Sequence, residues 1–180
     1  MLLRADSLAS THAIAGALAK LARPGDVIVL AGEMGAGKTA FAQGFGAALG
    51  IAEAITSPTF TLLHSYPIPN TKHTLHHADL YRLDTTGDVE ELALHELADF
   101  DGIVLVEWGD VVAGTIGDHL EVRLEHDDTD TAGTDDGTVD DSGLDDFGLD
   151  EARLINLDAS GPGWAGRWDR VGTAMERFRC

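Results

Sequence analysis

Cysteine is nearly absent from the sequence, since Cys180 is the only one in 180 residues. A single cysteine excludes an intramolecular disulfide framework and any metal site built from several cysteines. The sequence also has no apolar run of the about 18 residues that a membrane-spanning helix needs, and its opening residues, Met-Leu-Leu-Arg-Ala-Asp, lack the long apolar core of a signal peptide. We therefore expect a cytoplasmic protein with no membrane association.

Basic residues are missing from one long segment. Between Glu125 and Glu151 there are 12 acidic residues and no Lys or Arg, so most of the net charge of −19 belongs to this segment. It is rich in Asp, Gly and Thr, and it has too few apolar residues to offset its chain entropy by burial. We expect an acidic, disordered insertion at 125–151, with 1–124 forming the domain core and 152–180 completing the same domain. A calcium site is the alternative, although the EF-hand spacing is not met in full.

The rest of the chain alternates between helical and strand patterns. Apolar residues at helical spacing predict a first helix from Asp6 or Ser7 to Leu21. The run DVIVLAG is short, apolar and β-branched, which is typical of a strand buried on both faces of a parallel sheet. A second helical stretch follows and ends at Gly50. This alternation indicates an α/β domain.

A phosphate-binding motif lies between that strand and that helix. Residues 32–39, Gly-Glu-Met-Gly-Ala-Gly-Lys-Thr, fill the pattern G-x-x-x-x-G-K-[ST]. In such a loop the backbone N–H groups surround phosphate oxygens, the lysine contacts the β- and γ-phosphates, and the threonine hydroxyl binds magnesium. A glycine-rich turn with an incidental lysine is the alternative. The predicted nucleotide-binding residues are Glu33, Met34, Gly35, Ala36, Gly37, Lys38, Thr39 and Ala40.

Two carboxylates follow apolar strands and are candidates for the metal and for catalysis. Glu107 lies at the C-terminal end of an apolar strand predicted from Ile103 to Val106, where ligands of open α/β sheets bind, so we predict that it holds magnesium together with Thr39. Asp79 ends a more polar strand, which could be antiparallel or lie at the sheet edge. It could hold a metal-bound water or position the attacking one. Alternatively, it caps a turn or pairs with Arg82.

Hydroxyl groups cluster in the stretch ITSPTF at residues 55–60. A threonine in a loop after the phosphate-loop helix is where nucleotide switches sense the γ-phosphate, so we select Thr59 as a catalytic candidate beside Lys38 and Asp79. An ordinary Ser-Pro-Thr turn is the alternative.

His73, His76 and His77 raise the question of a zinc site. They lack a second clear pair of ligands, and alternation along a strand would send His76 and His77 to opposite faces. His77 could instead neighbour Asp79 on one face. Trp108, next to Glu107, is expected to pack in the core or to touch nucleotide or a partner.

Four ordered motifs resemble one known family. GEMGAGKTAFAQGFGAALGI, ITSPTFTLLHSY, HADLYRL and VLVEWGD are together similar to the TsaE (YjeE) family of small bacterial ATPases, which act in making threonylcarbamoyladenosine in tRNA. The resemblance runs from the first helix to about Val122 and resumes more weakly from about Ala152 to Trp168. The acidic segment departs from the family, because it interrupts a late pair of strands, DHLEVRLEH and ARLINLDA.

The resemblance implies a P-loop NTPase-like, three-layer α/β fold with a mostly parallel central sheet and flanking helices. It implies hydrolysis of ATP with Mg²⁺, in which Lys38 and Thr39 are the phosphate-loop residues, Asp79 is the motif acid and Glu107 is the magnesium glutamate. The implied partners are TsaB and TsaD, the pair that transfers the threonylcarbamoyl group to the adenosine beside the anticodon. The acidic segment should repel nucleic acid, so we expect tRNA to be held through the complex.

Three other classes fit the motif less well. A small-molecule kinase usually brings an arginine-bearing lid, whereas the long inserted segment here has no Arg or Lys. A GTPase needs a guanine-reading motif such as Asn-Lys-x-Asp, and the sequence has none. A nucleotide-binding scaffold without turnover stays open, because the motif reveals a site and not a rate.

Overall fold

The fold is built on one seven-stranded sheet. A computed structural model describes residues 1–58, 61–80, 94–108, 116–127 and 152–180, with only the backbone of residues 94 and 95. Its strands are β1 (Leu2–Ala5), β2 (Val27–Ala31), β3 (Leu63–Pro67), β4 (Thr74–Asp79), β5 (Gly102–Glu107), β6 (His119–His126) and β7 (Arg153–Ser160). Its helices are α1 (Leu8–Ala19), α2 (Lys38–Ala48), α3 (Leu94–Asp99), α4 (Pro162–Ala165) and α5 (Trp168–Met175), followed by a 3₁₀ turn at Glu176–Phe178.

The strand order β1-β7-β6-β2-β5-β4-β3 places the parallel strands at the centre of the sheet. The four strands β6, β2, β5 and β4 run parallel to one another, whereas β1, β7 and β3 are attached through antiparallel pairings. The predicted α/β fold with a mostly parallel central sheet is therefore confirmed. Of our two alternatives for β4, the antiparallel pairing is found with β3, whereas β5 pairs with it in parallel. The edge position is wrong, because β3 covers the outer side of β4.

Local sequence accounts for the elements that lead into the phosphate loop. Ser7 caps α1, since its side chain accepts a hydrogen bond from the Ser10 backbone N–H at 3.2 Å. The helix ends at Ala19, two residues before the predicted end at Leu21. Every residue of β2 is buried, as expected for a central parallel strand, and α2 ends close to Gly50, as predicted.

The sheet separates two apolar clusters. One face carries Ile28, Leu30 and Leu105, and these residues form the larger core together with apolar residues of α1, α2 and α5. The other face carries Val29 and Val106, which pack with Ala98 of α3. Helices therefore lie on both faces, which gives the predicted three layers.

The predicted late strand pair forms a continuous antiparallel hairpin. β6 pairs with β7 from His119 opposite Ser160 to His126 opposite Arg153. The Asp127 N–H then donates to the Ala152 carbonyl at 3.0 Å, so the two ends of the acidic segment leave the sheet side by side. Residues 128–151, including most of the predicted acidic insertion and its alternative calcium site, lie outside the described residues.

The boundary predicted at residue 125 is wrong by three residues. Glu125 and His126 belong to β6, and Asp127 is buried rather than part of a solvated segment. The Asp127 carboxylate accepts a hydrogen bond from Arg4 Nε at 2.7 Å and keeps only 3% of its side chain exposed. The ion pair therefore joins the end of β6 to β1.

A buried ion pair ties the C-terminal helices to the start of β2. Arg167 donates to both Asp26 carboxylate oxygens, at 2.8 and 2.6 Å, and also to the carbonyls of Leu21 and Gly163. Its guanidinium lies 4.1 Å from the centre of the Trp164 ring. The polypeptide after the acidic segment is thus part of the same folded unit as the N-terminal core.

Candidate functional site

The phosphate loop is the turn from β2 into α2. Gly32, Gly35 and Gly37 have φ values of 135°, 85° and 101°, which are typical of glycine. At Gly32 a Cβ atom would lie 2.3 Å from the Leu124 carbonyl oxygen, so the loop can pass β6 only without a side chain there. Gly37 precedes the first residue of α2, which directs the helix N-terminus and its unpaired N–H groups toward the loop.

Lys38 is folded back over the loop. Its Nζ donates to the carbonyls of Gly32 at 2.7 Å and Glu33 at 2.8 Å, and it lies 4.0 Å from the centre of the Trp108 ring. Only 5% of the residue is exposed, yet it lines the cavity in front of the loop. The ammonium group is therefore held against the loop backbone at the wall of this cavity.

Thr39 and Glu107 are brought into contact by the start of α2 and the end of β5. The Thr39 hydroxyl donates to Glu107 Oε1 at 3.1 Å. Glu107 is 3% exposed, and the same oxygen also lies 3.0 Å from His77 Nε2. A hydroxyl and a carboxylate beside the lysine of a phosphate loop are the oxygen donors that a magnesium site requires.

Asp79 lies directly beside Glu107 in the sheet. The two residues are partners in the parallel register of β4 and β5, and Asp79 is 2% exposed. Its Oδ2 lies 3.5 Å from the Ser57 hydroxyl, at the long limit of a hydrogen bond. The strand ends therefore hold two carboxylates at one edge of the sheet.

One cavity of about 290 Å³ collects the predicted residues. It is lined by Met34, Gly35, Gly37, Lys38, Thr39, Ala40, Ser57, Asp79, Glu107 and Trp108. Of the other predicted loop residues, Glu33 and Ala36 line a neighbouring cavity of about 570 Å³, together with Gly32, Trp108 and residues 123–126. Trp108 therefore lies between the two cavities.

The sequence predictions around this cavity had different outcomes. Thr59 lies outside the described residues, as does Arg82, the alternative partner of Asp79. Ser57 was not selected, although it belongs to the same ITSPTF stretch, and it lines the cavity.

Among the histidines, His77 lies on the opposite side of β4 from His76, as predicted. Its ring contacts Glu107. The described residues contain no group of three or more His, Cys, Asp or Glu that could hold a metal ion.

Comparison with known proteins identifies the family. A family model described as "Threonylcarbamoyl adenosine biosynthesis protein TsaE" matches residues 5–134. The chain belongs to the TsaE family. This confirms the resemblance found in the motifs and assigns the chain to a family of tRNA threonylcarbamoyladenosine biosynthesis.

Individual TsaE relatives agree with that assignment. The Bacillus subtilis (strain 168) protein is 42% identical over 105 residues, which cover 57% of this chain and 62% of the relative. The Streptomyces coelicolor protein is 41% identical over 117 residues, which cover 64% of this chain and 78% of the relative. Both are described as "tRNA threonylcarbamoyladenosine biosynthesis protein TsaE". The chain thus covers less than two thirds of the length of the first of these.

A solved structure extends the likeness to almost the whole fold. A crystal structure of Bacillus subtilis YdiB matches with a TM-score of 0.67 and 28% identity, covering 98% of this chain and 94% of that one.

In the part of this TsaE chain that the structure describes, no helix is both long and apolar enough to cross a membrane.

Proposed function

We propose that the chain is a magnesium-dependent ATPase that acts with TsaB and TsaD in forming the threonylcarbamoyl group on the adenosine beside the anticodon of tRNA. One observation carries the ATPase part: the Thr39 hydroxyl and the Glu107 carboxylate are 3.1 Å apart beside Lys38, in one cavity at the N-terminus of α2. A triphosphate with its cation needs this combination of groups in one place. Membership of the TsaE family supports the tRNA modification part.

The loop and Lys38 would bind the β- and γ-phosphates. The first N–H groups of α2 have no partner within the helix, and the helix dipole favours negative charge at that end. Lys38 Nζ has three donors, and two of them are engaged by the carbonyls of Gly32 and Glu33. Phosphate oxygens would compete with these carbonyls for the ammonium donors.

Thr39 and Glu107 fit a magnesium ion. Mg²⁺ prefers oxygen ligands and is usually held by one or two protein side chains together with phosphates and waters. The cation would neutralise the charge that develops on the phosphates during their transfer to water. Glu107 would hold the cation or its waters through its carboxylate, which accepts the Thr39 hydroxyl at 3.1 Å.

Asp79 would position the attacking water. It lies beside Glu107, it lines the same cavity, and it is almost fully buried, so a water bound there would be held away from bulk solvent. The larger cavity between the loop and the end of β6 offers space for the nucleoside part of ATP. Trp108 borders both cavities, so one nucleotide could extend from the smaller cavity into the larger one.

The cavity also supports slow turnover by the isolated chain. Among its described lining residues, Lys38 is the only cation. An arginine supplied in cis or in trans contributes about 10³- to 10⁵-fold in related phosphate-loop enzymes, so a partner could complete the site. The net charge of −19 opposes direct binding of tRNA, which supports recruitment of tRNA through TsaB and TsaD.

A scaffold that binds ATP without turning it over is the second candidate, because the same single cation would favour it. Phosphate release from Mg-ATP should be measured in single-turnover and steady-state formats, for the chain alone and with TsaB and TsaD added at several ratios. Slow release alone and faster release in the complex would support the proposed enzyme. ATP binding without release in either condition would instead support the scaffold, and equal rates in both would overturn the role of the partners.

A further inference from the structure

His77 is a fully buried histidine that the proposed chemistry does not use directly. It lies in β4, two residues before Asp79, with 0% of its surface exposed. Its Nε2 atom lies 3.0 Å from Glu107 Oε1. We propose that His77 is a positioning residue that holds the Glu107 carboxylate in its magnesium-binding orientation. This inference rests on the proposed magnesium-dependent function.

Two donors converge on one oxygen of Glu107. Oε1 accepts the Thr39 hydroxyl from the side of α2 and the His77 N–H from the side of β4. Bonds from two separate elements fix both the position of the carboxylate and the rotation of its plane. Neither bond engages Oε2, so the carboxylate keeps acceptor capacity for a cation or its waters.

The chemistry of the imidazole ring supports a specific role. Because a carboxylate can only accept, the hydrogen in this pair must be carried by His77 Nε2. In the neutral ring Nδ1 is then an acceptor, and it is buried with no hydrogen-bond partner in the described structure. Burial of an unsatisfied polar atom is unfavourable, and an aliphatic side chain would fill this core position without that cost. The bond to Glu107 is the interaction that offsets it.

The expected consequence is selective for the metal. Partners that hydrogen-bond to metal-binding side chains typically affect metal affinity by about 10- to 100-fold. The phosphate loop and Lys38 do not contact His77 through any described hydrogen bond, so nucleotide binding without metal should be independent of it. Loss of the His77 donor should therefore lower the affinity for Mg²⁺ and leave metal-free nucleotide binding unchanged.

The test uses three substitutions at one position and one control. His77→Phe fills the ring volume without a donor, and His77→Asn stays polar but is too short to place its amide where Nε2 lies. The longer side chain of His77→Gln can place its amide donor where Nε2 lies. The control is His76→Gln, because His76 is adjacent in β4 but points to the other face and bonds Ser65 at 2.9 Å.

Calorimetry should measure ADP binding in EDTA and then Mg²⁺ binding to the ADP-saturated protein, with thermal unfolding of each variant recorded in parallel. We expect His77→Phe and His77→Asn to lower the affinity for Mg²⁺ by about 10- to 100-fold. His77→Gln should keep most of the wild-type affinity, and His76→Gln should match the wild type. If Phe does not fold, the comparison of Asn with Gln carries the same information.

Two results would overturn the positioning role. One is unchanged Mg²⁺ affinity in folded Phe and Asn variants, and the other is an equal loss of ADP affinity in EDTA, which indicates a structural role. Failure of the wild type to bind Mg²⁺ with nucleotide would instead reject the proposed function on which the inference rests.

Discussion

Removal of the Lys38 ammonium group is the most direct perturbation of the proposed nucleotide site. In Lys38→Ala, bound phosphate loses one or two charge-assisted hydrogen bonds, each of which contributes about 1.5–3 kcal/mol. A total of about 1.5–6 kcal/mol corresponds to a dissociation constant about 10- to 20,000-fold higher for Mg-ATP. We expect this loss to fall on binding and not on the fold.

The small effect on the fold follows from the position of Lys38. Gly32 and Glu33, whose carbonyls accept from Nζ, line the larger cavity, so water can replace the lost donor. A change of about 1 kcal/mol in the free energy of unfolding would shift the melting temperature by only about 2–4 °C in a domain of this size. Thermal unfolding therefore serves as the test of folding for this variant.

Isothermal calorimetry with Mg-ATP should measure the binding of the Lys38→Ala variant. Lys72→Ala is the matched control, because it removes the same charge from a side chain that is 74% exposed and pairs with Asp101. The control should bind as the wild type does. A folded Lys38→Ala protein whose dissociation constant stays within about threefold of the wild type, less than the smallest loss expected for one such bond, would refute the assignment of this loop as the phosphate site.

Further predictions concern the metal, the fold and pH. Glu107→Gln should keep metal-free ATP binding, as measured by calorimetry. Its Mg²⁺-dependent phosphate release, measured in single-turnover assays, should fall by about 100-fold or more. Unchanged release would exclude Glu107 from the metal site. Arg167→Met should lower the free energy of unfolding in urea by about 3–5 kcal/mol, because it leaves Asp26 charged and only 11% exposed. Adding Asp26→Asn should recover much of that loss. An Arg167→Met variant as stable as the wild type would contradict this prediction. Replacement of 128–151 by a short Gly-Ser linker should change the free energy of unfolding by no more than about 1 kcal/mol, since loop length adds little closure entropy, whereas a large fall in melting temperature would show that the segment packs or binds an ion. Burial lowers the pKa of His76 below its ordinary 6.5, so its folded form binds a proton less readily and the free energy of unfolding falls as pH drops through 6.5; equal slopes for wild type and His76→Gln in this range would contradict that cause.

Local patterns predicted the centre of the site because each of its parts is contiguous in sequence. The buried strand, the glycine-rich loop and the helix follow one another, so their order alone determines the geometry around Lys38 and Thr39. Glu107 was predictable because it ends an apolar strand, and the carboxyl ends of parallel strands meet at one edge. Asp79 was predicted only as a second carboxylate at the end of a strand, and its position beside Glu107 follows from the register of β4 and β5.

Contacts between distant residues were not predictable from local patterns. The hydrogen bond from His77 to Glu107 depends on the register of β4 and β5, and the Arg167–Asp26 pair joins residues 141 positions apart. Asp127 was assigned to the acidic segment because its neighbours are acidic, yet it is buried against Arg4. Composition describes a segment as a whole, whereas the burial of one residue depends on its three-dimensional partners.

The closure of the β6–β7 hairpin also determines where this fold can be modified. One hydrogen bond, from the Asp127 N–H to the Ala152 carbonyl, joins the two residues that flank residues 128–151. Polypeptide inserted between them is attached to the sheet through that junction, so a change in its length does not shift the pairing of β6 with β7. The junction is thus a natural attachment point for a fluorophore, an affinity tag or a whole foreign domain. Such a fusion would report on assembly with partners while the phosphate loop and strand register stay as they are.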